Sequence, residues 1–263
     1  MNLQFSRRHF ATLPLAGLAL VGLTICSNAA AQIEVDNEGF SPSRMARIAP
    51  AMKALTDAGT VPGAVTLIAR NGKVVHFESH GFLDAAKSKP MQKDSLFRLA
   101  SMTKPIVTTA AMMLVEQGKL KLNDPLSLWL PELKDLKVET SAGDVPLTRP
   151  IWVQDVMRHT AGFVYGGSAR SPRIKKMYED LNIEAREVDI TTEAVLKNLG
   201  TIPLANQPGV MWEYSIATEV LGFVVERVAG KPLDAALKEL LFDPLGMKET
   251  TRSEERRVGK ECW

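Results

Sequence analysis

The sequence predicts an α/β fold of the α+β type, an antiparallel sheet flanked by helices and joined to a helical region. Three observations point to it. A β-branched apolar run, an Asn71-Gly72 pair and a second such run follow one another in residues 64–80, the pattern of a β-hairpin. Apolar residues recur at three- and four-residue spacing in 45–55, 103–117 and 217–229, the period of helices with a buried face. The chain has 263 residues, 45% hydrophobic and 24% charged, enough to bury a substantial core.

The formal charge of +2 is too small to suggest a nucleic-acid or anionic-membrane partner. No repeat or low-complexity linker interrupts the chain. Three segments are expected. Residues 1–31 carry Arg7 and Arg8, an apolar stretch over 11–25 and then Ala29-Ala30-Ala31, the order of an export signal. Ser6-Arg-Arg-His-Phe10 resembles the twin-arginine type, a general secretory signal being the alternative. A lipoprotein signal at Cys26 is disfavoured by bulky Ile25. The apolar stretch is short for a permanent span, so the mature chain is expected to begin near Gln32, outside the cytoplasm, periplasmic or secreted. Residues 32–251 form the domain. The last segment, 252–263, has no apolar period, and back-translation reproduces a common short-read sequencing adapter; it is expected to be non-native, with natural sequence continuing beyond Thr251. Both cysteines, Cys26 and Cys262, fall outside the domain. Disulfides, thiolate metal sites and cysteine nucleophiles are thereby excluded from it.

Within the domain, residues 40–58 read as an amphipathic helix with Ser43 as its cap. Residues 64–70 and 73–80 then read as two antiparallel strands around a type I′ turn. His76 and His80 share a face of the second strand; without a nearby carboxylate or cysteine they are read as surface residues, and no metal is expected. Next comes Ser101-Met-Thr-Lys-Pro105. Proline fits the first turn of a helix, so a helix should start near residues 101–103 and run to Gly118. That places Ser101 at the positive end of a helix dipole with Lys104 one turn on. A serine hydroxyl needs a base to become nucleophilic, and a lysine serves once burial or positive neighbours lower its pKa. The Ser101 N–H, at a helix start, is also placed to donate to an oxyanion. Alone, Ser-x-x-Lys is a motif that chance supplies about once in a chain of this length.

Farther on, Asp124-Pro125 turns the chain, and His159 lies in a segment read as a helix ending at Gly162, in a structural role. Tyr165 and Tyr178 are either pocket-lining or core residues, and the charges over 170–176 read as a solvated face. Helical periodicity returns around Ala194, Val195 and Leu199. Tyr214 follows Pro208-Gly209 and precedes the periodic helix over 217–229, a loop-to-helix junction from which a side chain can face a cleft. A last helix runs toward Leu241 and ends at Asp243-Pro-Leu-Gly246.

The segments Phe97-Arg-Leu-Ala-Ser-Met-Thr-Lys-Pro-Ile106, Leu130-Pro-Glu132, Arg158-His-Thr-Ala-Gly-Phe163, Trp212-Glu-Tyr-Ser215 and Phe242-Asp-Pro-Leu-Gly-Met247 together resemble the serine β-lactamase and penicillin-recognising hydrolase superfamily. The likeness is to its class C-like branch and the family VIII carboxylesterases. It implies a β-lactamase-like fold whose C-terminal strands, with a third motif of Lys or His followed by a small residue and glycine, are missing here. It also implies Ser101, Lys104 and Tyr214 as the catalytic set, Tyr214 acting as general base or proton shuttle. Where the class C pattern has asparagine two residues after the tyrosine, this chain has Ile216, which is more like the esterase branch. The resulting expectation is a serine hydrolase acting through an acyl-enzyme on small-molecule esters or amides, without cofactor. Carboxylesterase ranks before β-lactamase and D-alanyl carboxypeptidase. A non-catalytic binding module for peptide or cell-wall fragments is the competing class, and the chain as given would be an inactive fragment if its sheet is incomplete.

Overall fold

The computed structural model describes residues 37–184 and 191–251. The expected export signal and charged tail lie outside these residues. The chain divides into two compact units, Met1–Ser95 and Leu96–Trp263.

The first unit is built on a hairpin. Strands β1 (Gly63–Arg70) and β2 (Lys73–Gly81) pair antiparallel, with a bulge between Ile68 and Ala69. Asn71 and Gly72 take φ of 52° and 75°, the two left-handed residues that a type I′ turn needs. Glu38, in a short turn before the hairpin, accepts from Lys73 and from Asn71 Nδ2, the latter at 3.1 Å, which fixes the hairpin tip. The helix expected over 40–58 is two helices, α1 (Pro42–Met45) and α2 (Ile48–Asp57). Its cap is Ser41 rather than Ser43, the Ser41 hydroxyl accepting from Arg44 N at 3.4 Å. Pro42 explains the shift: lacking an N–H and fixed in φ, it takes the first helical position and makes the preceding serine the cap.

The premise that His76 and His80 have no nearby carboxylate fails. Glu78 lies between them on the same face of β2, and one ligand atom from each of the three falls within 4.8 Å of the others. Opposite Glu78 on β1 is Thr66. Its hydroxyl lies 2.6 Å from His76 Nε2 and 3.3 Å from His80 Nε2, so both rings already have a hydrogen-bond partner.

The second unit is mainly helical. A 3-10 turn over Ala100–Met102 leads into α3 (Thr103–Glu116), followed by α4 (Leu126–Trp129). Two short antiparallel strands, β3 (Lys137–Thr140) and β4 (Gly143–Pro146), form a hairpin. Then come α5 (Val153–Met157), α6 (Pro172–Asp180), α7 (Thr192–Leu199), α8 (Ala217–Ala229) and α9 (Leu233–Leu237), the last continuing as a π-helical turn to Phe242. Helices α3 and α8 pack at its centre, where Ala110, Ala111, Val220, Leu221, Val224 and Val225 are fully buried. Alanines on one helix against β-branched and leucine side chains on the other let the two axes approach closely. Gly230, at φ 66°, ends α8 as a left-handed cap that glycine adopts without strain.

Two expectations are corrected in this unit. The helix before His159 ends at Met157, and His159 itself takes φ 57°; the turn that follows, not the helix, reaches Gly162. The charges over 170–176 are not simply solvated. Arg173 makes a two-pronged bond to Asp144 at 2.6 and 2.8 Å and tethers α6 to the β3–β4 hairpin.

The connection from α5 to the turn over 159–164 is held by Asp155, whose side chain is fully buried. It accepts from Arg149 Nη1 at 2.7 Å and Nη2 at 3.0 Å, Trp152 N at 2.9 Å, Thr160 Oγ1 at 3.1 Å and Arg158 Nη2 at 3.2 Å. Burial pushes the Asp155 pKa up, but the Arg149 and backbone bonds outweigh it and hold the carboxyl below its ordinary 3.8. A carboxyl depressed in the folded state stabilises fully above its unfolded value, and that stabilisation is lost as pH falls through the lower folded value. Replacing Asp155 with alanine is expected to lower stability by about 3 kcal/mol, because Arg149, the Trp152 N–H and the Thr160 hydroxyl lose their acceptor. Asp155→Asn is expected to flatten the loss of stability below pH 3.8, measured by denaturant melts across the acid range.

Candidate active site

The 3-10 turn presents Ser101 at the mouth of a cleft of about 870 Å³. Ala100, the residue before it, sits at φ 44°, a left-handed conformation that costs a non-glycine residue roughly 1 kcal/mol. No sequence pattern signals that strain. Lys104, the second residue of α3 and one turn on from Ser101, donates to Ser101 Oγ at 3.3 Å. The cleft is walled by Val107, Ile183, Val195, Ile216 and Phe223. Ile216 stands where the class C pattern has an amide, so this position contributes apolar surface in place of a hydrogen-bonding group. A second cleft of about 610 Å³, lined by segments 133–137 and 146–151, holds none of the sequence-predicted site residues.

Tyr214 arrives from 113 residues away, its hydroxyl 2.6 Å from Ser101 Oγ. The segment that carries it is laid along the turn after α5 by a series of backbone bonds: Ala205 N to Gly162 O at 2.9 Å, Gly209 N to Thr160 O at 2.7 Å, and Glu213 N to His159 O at 2.9 Å. Two glycines permit this approach. A Cβ on Gly162 would lie 2.1 Å from Asn206 O, and one on Gly209 would lie 2.2 Å from the Arg149 guanidinium, with both residues at positive φ. The His-Thr-Ala-Gly and Gln-Pro-Gly segments are thus two sides of one seam. His159 belongs to it: Nδ1 accepts from Ser215 N at 3.2 Å, and its ring centroid is 4.9 Å from that of Tyr214. Burial, followed by the Lys104 charge, pushes the His159 pKa down, so a neutral ring that braces Tyr214 is favoured.

The structure therefore brings all three sequence-predicted residues, Ser101, Lys104 and Tyr214, into one cluster. It adds two more. Tyr165 lines the cleft, with Lys104 donating to its hydroxyl at 3.1 Å, and that hydroxyl in turn donates to Glu219 Oε1 at 2.9 Å. Tyr178, its companion in the sequence reading, is buried in the core. Glu219 went unnoticed in the sequence. The available signal was its place in the first turn of α8, five residues after Tyr214.

The electrostatics revise the expectation for Lys104. Burial pulls its pKa down, but hydrogen bonds to Tyr214 and Tyr165 and the charge of Glu219 outweigh that and raise it above the ordinary 10.5. The ammonium form is the stable one. Tyr214 moves the other way: its hydrogen bonds with Lys104 and Ser101 hold its phenol below the ordinary 10.0. Of the two candidate bases, the phenol is the one favoured in its deprotonated form. Burial raises Tyr165 and Tyr178 instead. Because the chain has three tyrosines, this ordering is measurable. Spectrophotometric titration is expected to show one tyrosinate forming below pH 10.0, absent in Tyr214→Phe and moved to higher pH in Lys104→Met.

A serine at a helix start, a lysine one turn on and a tyrosine from the entry of a second helix thus meet at one cleft. The chain belongs to the Beta-lactamase family, whose model matches residues 48–259. It is 39% identical over 204 residues to protein Rv1367c of Mycobacterium tuberculosis, covering 76% of this chain and 49% of that protein. With esterase EstB of Burkholderia gladioli it shares 38% identity over 191 residues, 71% of this chain and 46% of the esterase. Among solved structures, EstCE1, described as a hydrolase with promiscuous acyltransferase activity, superposes with a TM-score of 0.69 at 35% identity, covering 78% of this chain and 52% of that one. The chain spans about half the length of the curated relatives it matches. No helix among the described residues is long and apolar enough to cross a membrane.

Proposed function

We propose that the parent protein is an exported serine hydrolase, a carboxylesterase before a β-lactamase, that works through an acyl-enzyme on Ser101. The observation that carries this reading is the 2.6 Å contact between the Tyr214 and Ser101 hydroxyls, with Lys104 Nζ 3.3 Å from Ser101 Oγ. In the first half-reaction the Tyr214 phenolate takes the Ser101 proton as Oγ bonds to the substrate carbonyl carbon. The same phenol then passes that proton to the departing alkoxide or amine as the bond to the leaving group breaks. In the second half-reaction Tyr214 takes a proton from water, the hydroxide adds to the acyl carbon, and the proton returns to Ser101 Oγ as the carboxylic acid leaves. Lys104 stays cationic throughout, keeps the phenol acidic and stabilises charge on Oγ. The Ser101 N–H supplies one oxyanion donor.

The relatives named as an esterase and a hydrolase support the ester-cleaving branch, as does the apolar Ile216. Relatives named as D-alanyl-D-alanine carboxypeptidases, for example that of Salmonella agona at 26% identity, keep peptide amides as the second reading. A binding module without turnover is the third, and the clustering of Ser101, Lys104 and Tyr214 weighs against it.

Fluorophosphonate labelling of Ser101 tests the proposal. Labelling is expected in wild type and absent in Ser101→Ala, and to be slowed about 100-fold or more in Tyr214→Phe, the range of a lost general base. In wild type the rate should rise with pH through the lowered Tyr214 ionisation and hold to beyond 10.5, where Lys104 retains its proton. Unchanged labelling of Ser101→Ala would overturn the assignment of the nucleophile.

A further inference from the structure

Glu219 takes no proton in the scheme above and touches neither Ser101 nor Tyr214, yet it lines the cleft from the first turn of α8. We propose that Glu219 is a positioning residue: through the Tyr165 hydroxyl it holds the Lys104 ammonium against Ser101 and Tyr214. The proposal rests on the reading of Ser101, Lys104 and Tyr214 as the reacting set.

The geometry carries it. A phenol oxygen can accept from an ammonium only if its own O–H points elsewhere. Glu219 Oε1, 2.9 Å from Tyr165 Oη, provides that other direction, leaving the oxygen lone pairs to meet Lys104 Nζ at 3.1 Å. The bond from Tyr165 to a carboxylate is charge-assisted and polarises the phenol oxygen, which makes it the better acceptor for the next donor. Among the described residues no direct ion pair joins Glu219 to Lys104. This arrangement has a use: a direct pair would draw the ammonium toward α8 and away from Ser101, whereas the interposed phenol keeps Nζ within 3.3 Å of Ser101 Oγ. Tyr165 itself is braced, its ring 5.6 Å from that of Tyr214 and its backbone opening the 3-10 turn over Gly166–Ser168. Glu184 closes that turn, accepting from Gly166 N at 2.6 Å.

Among the described residues the ionisable groups that act on Lys104 are Tyr165 from the turn after α5, Tyr214 from the segment before α8 and Glu219 from α8, with His159 beside Tyr214 and Glu184 elsewhere on the cleft wall. Among these, removing the Glu219 charge has opposite effects under the two accounts. If Glu219 is only a nearby charge, its loss relieves repulsion and the Tyr214 phenol ionises at lower pH. If Glu219 positions Lys104, its loss lets the ammonium leave Tyr214, and the phenol ionises at higher pH.

Tyrosinate titration of Glu219→Gln, Tyr165→Phe and the double variant reads that sign directly and needs no turnover. The Tyr214 step, identified by its absence in Tyr214→Phe, is expected to move up by about half a pH unit or more in each single variant. The double variant should move no further than Tyr165→Phe alone, since Glu219 acts through Tyr165. Glu219→Asp, which keeps the charge, should lie nearer wild type than Glu219→Gln. A downward shift in Glu219→Gln, or additive shifts in the double variant, overturns the proposal. If Glu219→Gln does not fold, Tyr165→Phe alone decides, an unmoved Tyr214 step being the refuting result. Fluorophosphonate labelling run alongside separates the two claims. An unlabelled wild type with the expected tyrosinate shifts defeats the hydrolase reading and leaves the positioning role standing. Normal labelling with a downward shift does the reverse.

Discussion

The buried carboxylate of Asp155 is the constraint on which the site's far wall depends. It joins Arg149, the first turn of α5 and Thr160 into one bonded unit, and that unit fixes where the turn over 159–164 begins. The turn then sets the path of residues 205–216 through backbone bonds, and that path ends at Tyr214. A full set of hydrogen bonds is what makes burial of such a charge tolerable. Arg149 serves twice, pairing with Asp155 and lying against the open backbone of Gly209, so the same guanidinium touches the anchor and the segment being positioned.

The Ser101–Lys104 spacing and the helices α3 and α8 were legible because their information is local: a proline in the first turn, a 3.6-residue period, a glycine at the end. The type I′ turn at Asn71-Gly72 was legible for the same reason. What the sequence did not disclose depended on contacts between distant segments. The role of Arg173 required knowing that Asp144 comes back beside α6, and the β3–β4 hairpin has strands too short for a period to show. Glu219 looked like an ordinary first-turn acid, and only the meeting with Tyr165 gives it another purpose. The failure at His76 and His80 differs, since Glu78 was visible between them and strand alternation placed it on their face.

The chemistry inverts the simplest expectation for a serine-lysine pair. Burial alone would have made Lys104 a base, but the site surrounds it with two phenols and a carboxylate, and these outweigh burial. The lysine is kept charged, and that charge makes its neighbouring tyrosine the more acidic group. Two side chains that would otherwise compete for one proton are given separate tasks by the field they share.

Ser101 and Lys104 are held together by one helical turn, whereas Ser101 and Tyr214 meet across 113 residues. The first pairing is local to the start of α3; the second depends on the core between α3 and α8, the Asp155 unit and the glycine seam. An unfolded chain therefore carries the serine and the lysine but not the juxtaposed phenol. The contact between the two hydroxyls is a property of the assembled fold and not of either segment alone.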